Sequence, residues 1–131
     1  MTIKRFEDLE IWQNARELCK KIRVLVEKTT LTKDYSIKDQ ILRSSGSVMD
    51  NIAEGFERDG KKEFLNFLYI AKASLGETRS QLHRSFDAKH FDEETYKVLV
   101  GECLNLSAKI AHFIDYLAKS EYTGTKRKSR E

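Results

Sequence analysis

The sequence contains no proline, only 6 glycines in 131 residues, and two cysteines. Proline breaks helices and glycine weakens them, so their scarcity points to long uninterrupted helices. Cys19 and Cys103 lack CxxC spacing and fall on apolar helix positions. That excludes a disulfide framework and reads as two reduced thiols in a cytoplasmic protein. No run approaches the ~18 apolar residues of a membrane span. The opening Met1-Thr2-Ile3-Lys4-Arg5-Phe6 has no apolar h-region, so neither a signal peptide nor a membrane partner is expected.

A net charge on the body of the chain is missing too. Of 24 basic and 21 acidic residues, Thr123–Glu131 holds four and one, which leaves the rest in balance. Bulk charge therefore argues for nucleic acid only through that terminal stretch, read as a disordered basic tail after a single domain spanning 1–122. Its cations Lys126, Arg127, Lys128 and Arg130 could neutralise phosphates with strong salt dependence. An ordinary solubilising tail has the same composition.

What is present is helical periodicity. From about residue 7 to 29, Ile11, Ala15, Leu18, Ile22 and Leu25 alternate at four and three, a core-facing stripe. Arg16, Lys20 and Arg23 line the opposite side as a basic ridge, read either as a solvated face or as a second nucleic-acid contact. A second helix is expected over 36–56, with Ser36 as its N-cap and Asp39 completing an acidic capping box. It carries three rows: Ile37, Ile41, Ser45, Val48 and Ile52; then Leu42, Gly46, Met49, Ala53 and Phe56; then the polar Gln40, Ser44, Ser47, Asn51, Glu54 and Arg58. Two apolar seams exceed what a lone bundle needs from one member, which predicts a second partner for this helix. Gly46, mid-helix at a cost of roughly 1 kcal/mol, reads as a point of close packing. Helices over 61–86, on Phe64, Leu68, Ala71, Leu75, Thr78 and Leu82, and over 92–120, on Leu99, Cys103, Leu106, Ile110 and Leu117, complete the set. Four such helices joined by short connectors predict an all-α, antiparallel up-down-up-down four-helix bundle.

Gln40, Arg43, Ser47, the run Asn51-Ile52-Ala53-Glu54-Gly55, Arg58, Lys62-Glu63-Phe64, Phe67-Leu68, Ile70-Ala71, Ser74 and Glu77 form a recognisable pattern, as does the opening Phe6-x-x-Leu9-x-x-Trp12-x-x-Ala15. In these the chain resembles the four-helix-bundle proteins of intervening sequences in bacterial 23S rRNA genes, a family that includes the accessory protein of diversity-generating retroelements. The resemblance implies a bundle assembled into a homopentameric barrel. For the retroelement branch it also implies a basic surface for RNA or DNA and for a reverse transcriptase. The chain departs from the pattern at Leu42, where members usually carry an arginine.

Catalytic chemistry finds little footing. A di-iron bundle needs paired Glu-x-x-His motifs, and His83, His90 and His112 supply none. Ser44, Ser45 and Ser47 have no histidine on their helix to act as base. Asp50, Glu54, Glu57, Asp59 and Glu63 could in principle hold Mg²⁺ for a nuclease, but pairing with Arg58 and a helix N-terminus accounts for them as well. The reading is a non-enzymatic, cofactor-free and metal-free homo-oligomeric scaffold that binds nucleic acid through Arg16, Lys20, Arg23 and the tail. Gln40, Leu42, Arg43, Gly46, Ser47, Met49, Asn51, Glu54, Phe56 and Arg58 are its structural or subunit-contact set. A protein-only adaptor and a Mg²⁺-dependent nuclease are the alternatives.

Overall fold

In the computed structural model, which describes residues 3–124, the chain forms four helices and, among the described residues, no strand. A 3-10 turn at Phe6–Asp8 leads into α1 (Glu10–Lys28), and a second at Thr30–Lys33 leads into α2 (Tyr35–Glu57). α3 (Lys61–Asp87) and α4 (Glu93–Lys119) follow after tight connectors. Neighbours in sequence are neighbours in space. The α2–α3 hairpin is the most intimate pair, and α1 against α4 the sparsest.

The core seams are those that the spacing predicts. Ile22, Leu31, Ile41, Val48, Ile52, Phe64, Leu68, Leu75, Leu82, Ile110 and Leu117 are fully buried, each removing apolar surface from water at roughly 25 cal/mol per Å². Phe64 organises one end, with ring centroids 5.9 Å from Phe56, 5.7 Å from Phe113 and 6.2 Å from Tyr122. At the other end Phe86 and Tyr96 stack at 4.1 Å, tying α3 to α4.

The cap of α2 differs from expectation. Asp34 is the N-cap, its Oδ1 accepting from the backbone N–H of Ile37 at 3.5 Å. Ser36 lies inside the first turn, where its hydroxyl accepts from Gln40 Nε2 at 3.3 Å. Aspartate and serine are near-equal caps; the 3-10 turn just before Asp34 decides where the helix can begin. Asp92 caps α4, accepting from Thr95 N at 2.8 Å.

Two residues other than glycine end helices in the left-handed region, Asp59 (φ 58°) after α2 and Lys89 (φ 66°) after α3. At Lys89 the reversal is a Schellman motif, with Lys89 N–H bonded to Phe86 O at 2.8 Å and His90 N–H to Ser85 O at 3.2 Å. It turns His90 back over the end of the bundle.

The C-terminal stretch is ordered further than its composition implies. Tyr122 is buried, Lys61 Nζ holds Ser120 O at 2.6 Å, and Gly124 (φ 113°) lies so close to the Asp59 carbonyl that any Cβ there would collide with it. Residues 120–124 therefore strap the turn between α2 and α3. Lys126, Arg127, Lys128 and Arg130 lie outside the described residues.

Candidate interaction surfaces

The middle of the polar row of α2, at Ser44 and Ser47, docks on α3, while Glu54 and Arg58 at its far end stay exposed. Ser44 Oγ donates to Gln81 Oε1 at 2.6 Å and lies 2.8 Å from Thr78 Oγ1. Ser47 Oγ is 2.9 Å from Ser74 Oγ, and Asn51 Nδ2 donates to both the carbonyl and the hydroxyl of Ser47 at 2.8 Å. At the exposed margin Arg84 Nη1 donates to Gln40 Oε1 at 2.9 Å. Ser44, Ser74, Thr78, Gln81 and Ser85 are all buried, and the hydroxyls of Thr78 and Ser85 bond back to the carbonyls one turn earlier. A buried polar row of this kind holds register, because sliding one helix past the other would leave hydroxyls and an amide unpaired at about 1–3 kcal/mol each. Thr78 reads from sequence as one more core position. Gln81 and Ser85 give no sequence signal, since a lone glutamine on a charged helix is ordinarily a surface residue.

The second apolar row of α2 is largely spent within the chain. Phe56, expected at a subunit contact, is 4% exposed and belongs to the core. Leu42 and Met49 are half-buried against that core. At 100° per residue they lie on the flank opposite the α3-facing polar row, toward α1. The surplus seam is thus reduced to Leu42, Gly46, Met49 and Ala53, each of them half-buried. Gly46 is not a point of close packing inside the chain, since a Cβ built there meets nothing within 4 Å. Gly55 is: a Cβ there would stand 2.7 Å from Phe67 Cβ and 3.1 Å from Phe64 Cδ1. The hairpin closes against that missing side chain.

The basic ridge of α1 is exposed but partly engaged. Arg16 lies over the Trp12 ring at 5.7 Å, and Lys20 pairs with Glu17 at 3.3 Å. Arg23 has no ion pair among the described residues. On its other flank α1 is bridged to α4 by Lys21–Glu102 at 2.6 Å and by Lys109, which reaches Glu10 at 2.7 Å and Asn14 at 3.1 Å. Beside these bridges a groove of about 450 Å³ runs between Val24 and Val98, which are 46% and 54% exposed. On the outer hairpin Arg43 is exposed, and Arg58 pairs with Glu54 at 3.0 Å while covering the Phe67 ring at 5.0 Å.

A feature with no precursor in the periodicity joins the two connectors at one end. His90 Nε2 contacts Asp34 Oδ2 at 2.9 Å, and its Nδ1 contacts Thr30 Oγ1 at 2.8 Å. The hydrogen bond from His90 is the largest influence holding the Asp34 carboxyl below its usual range; the Ile37 N–H and nearby positive charge add to it against partial desolvation. A hydroxyl, an imidazole and a carboxylate in a row resemble a nucleophilic relay. The backbone donors beside Thr30 are already engaged, however, with Leu31 N–H on Thr29 Oγ1 and Thr32 N–H on Thr29 O, both at 3.3 Å. No oxyanion site forms from them, and the row acts as a clasp between connectors. Among the described residues no group of three or more His, Cys, Asp or Glu is placed to hold a metal ion, so the acidic residues near the α2–α3 turn are not gathered into a metal site. Cys103 is fully buried, and desolvation pushes its thiol up to about 12. No helix among the described residues is long and apolar enough to cross a membrane.

These features define a four-helix bundle whose central hairpin is keyed by a polar row and whose remaining character is surface. The chain belongs to the family of 23S rRNA-intervening sequence proteins, whose sequence profile matches residues 7–112. A solved structure from Bacteroides thetaiotaomicron, described as a protein with unknown function from the S23 ribosomal protein family, superposes with a TM-score of 0.71. It is 23% identical and covers 79% of this chain and 97% of its own, a likeness of fold. No protein of curated function matches the chain.

Proposed function

We propose that the protein is a non-enzymatic, self-assembling scaffold of the cytoplasm that binds structured RNA or DNA, with a ring of five chains as its working form. Membership of the rRNA-linked family across residues 7–112 is the observation that carries this reading. Two free thiols suit a reducing compartment. The tail cations Lys126, Arg127, Lys128 and Arg130 are the main phosphate contacts, since Arg16 and Lys20 are partly engaged within the chain. Several tails on one ring would bind one nucleic acid with avidity beyond that of any single tail. A reverse transcriptase or another protein could dock on the same ring.

Fluorescence anisotropy with a structured RNA and a DNA duplex tests the binding. Affinity should fall steeply with salt, and removing four phosphate contacts should flatten the slope of log K on log salt by roughly 3–4 units. The deletion should begin at Thr125, because Tyr122 and Gly124 belong to the packed strap. Absence of binding at low salt refutes the nucleic-acid reading, and binding that ignores both salt and the deletion refutes the tail as its phosphate contact.

A further inference from the structure

Of the five tyrosines, four have another ring or a cation against their own. Tyr96 stacks on Phe86, Tyr122 and Tyr116 meet Phe64 and Phe113, and Lys38 lies over Tyr35. Tyr69, 59% exposed, has neither among the described residues. It lines a depression of about 750 Å³ on α3, together with Lys61, Lys62, Glu63, Leu65 and Asn66. Lys62, Asn66 and Tyr69 are exposed and follow one another at i, i+4 and i+7, so they share one face. Leu65, packed against the core, gives that face an apolar floor. The basic tail departs from the same end of the bundle. Lys61 Nζ holds Ser120 O at 2.6 Å, and the strap runs on to Gly124 beside the Asp59 carbonyl, two residues before Lys61. Residues 125–131 carry Lys126, Arg127, Lys128 and Arg130 and span at most about 25 Å, so they start within reach of the depression.

We infer that this depression takes an unpaired base from a loop of structured RNA, stacked on the Tyr69 ring, while the adjoining phosphates lie over Lys62 and the tail. This rests on the nucleic-acid binding proposed above and names a site for it on the folded domain. An exposed aromatic ring is a stacking platform for any base, and each such stack changes affinity by about 5- to 150-fold. Glu63 repels phosphate, but its carboxylate accepts from an exocyclic amino group, and the Asn66 amide both donates to and accepts from a base edge. A base therefore suits the depression and a phosphate does not. Bases inside an A-form helix are stacked on one another and show their edges only in a groove that side chains do not enter, so the site selects unpaired stretches.

Two RNAs of equal length test the site by fluorescence anisotropy on the full chain at low salt: a hairpin with a loop of about eight nucleotides and a blunt duplex. Tyr69→Ala changes only an exposed side chain, and circular dichroism checks that helix content is kept. It should weaken the hairpin by about 5- to 150-fold and leave the duplex within about twofold. Tyr69→Phe, which keeps the ring, should hold the hairpin within about threefold of the parent. With 5-iodouracil in the loop, irradiation should join the RNA to the tryptic peptide spanning residues 63–72. A Tyr69→Ala variant that binds the hairpin as the parent does, or loses hairpin and duplex alike, overturns the base site while nucleic-acid binding stands; so does a crosslink confined to other peptides. A parent chain that binds neither RNA overturns both and leaves this face to a protein partner.

Discussion

Two glycines on one helix allow a test in which helix propensity cancels. Gly46→Ala and Gly55→Ala are the same chemical change on α2, each gaining about 1 kcal/mol of helix stability. At Gly46 the new methyl meets nothing within 4 Å, so that gain should appear in full. At Gly55 it would stand 2.7 Å from Phe67 Cβ, and the Phe64 backbone carbonyl 3.4 Å away limits retreat. Overpacking of this kind costs about 1–3 kcal/mol, so Gly55→Ala should be neutral to clearly destabilising. The difference between the variants is then the overpacking cost alone, about 1–3 kcal/mol. In thermal melts this separates the midpoints by at least about 3–5 °C for a domain of this size. Urea unfolding followed by circular dichroism measures it, at dilutions where light scattering reports single chains so that subunit contacts at Gly46 do not enter. Equal stability of the two variants would refute the close hairpin approach at Gly55.

The hairpin's polar row should behave as a unit. Ser44→Ala and Gln81→Leu should each cost about 1–3 kcal/mol by stranding a buried partner, and the double variant should cost less than their sum; strict additivity in urea titrations would argue against the shared bond. Asp34 carries a pH signature. Its carboxyl titrates below the ordinary 3.8 when folded, so its stabilising contribution is complete above that value and is lost as pH falls through the lowered one. The stability gap between the parent and Asp34→Asn should therefore narrow below about pH 3.8, and a gap unchanged down to pH 2–3 would sink the assignment. The thiols should differ in reactivity. Cys103, held protonated by burial, should resist a maleimide at about pH 8 while the half-buried Cys19 labels first; mass spectrometry of the labelled peptides reads the order, and equal labelling of folded protein would contradict it.

The one hydroxyl–imidazole–carboxylate row in the described residues, Thr30–His90–Asp34, joins two connectors and leaves the adjoining amides engaged in the turn. The acidic residues by the α2–α3 turn are similarly dispersed, Glu54 being held by Arg58.

The amino-acid sequence by itself determined the four helices and the core seam of each, because helical periodicity is local and Ile41, Val48 and Ile52 need only one apolar side to face. The Asp92 cap of α4 is equally local, with donor and acceptor three residues apart. Tertiary structure decided what each remaining face is for. Ser44 and Ser47 form a row of small polar residues that would suit solvent, a neighbouring helix or another chain; only the approach of α3 pairs them with Thr78, Gln81 and Ser74. Gly46 and Gly55 are indistinguishable until the separation of α2 and α3 is known. The clasp of His90 on Asp34 and Thr30 joins residues about 60 positions apart in stretches without periodicity, and it depends on the left-handed turn at Lys89. Spacing along one helix specifies which side chains share a face, whereas the partner of that face is a property of how the helices pack.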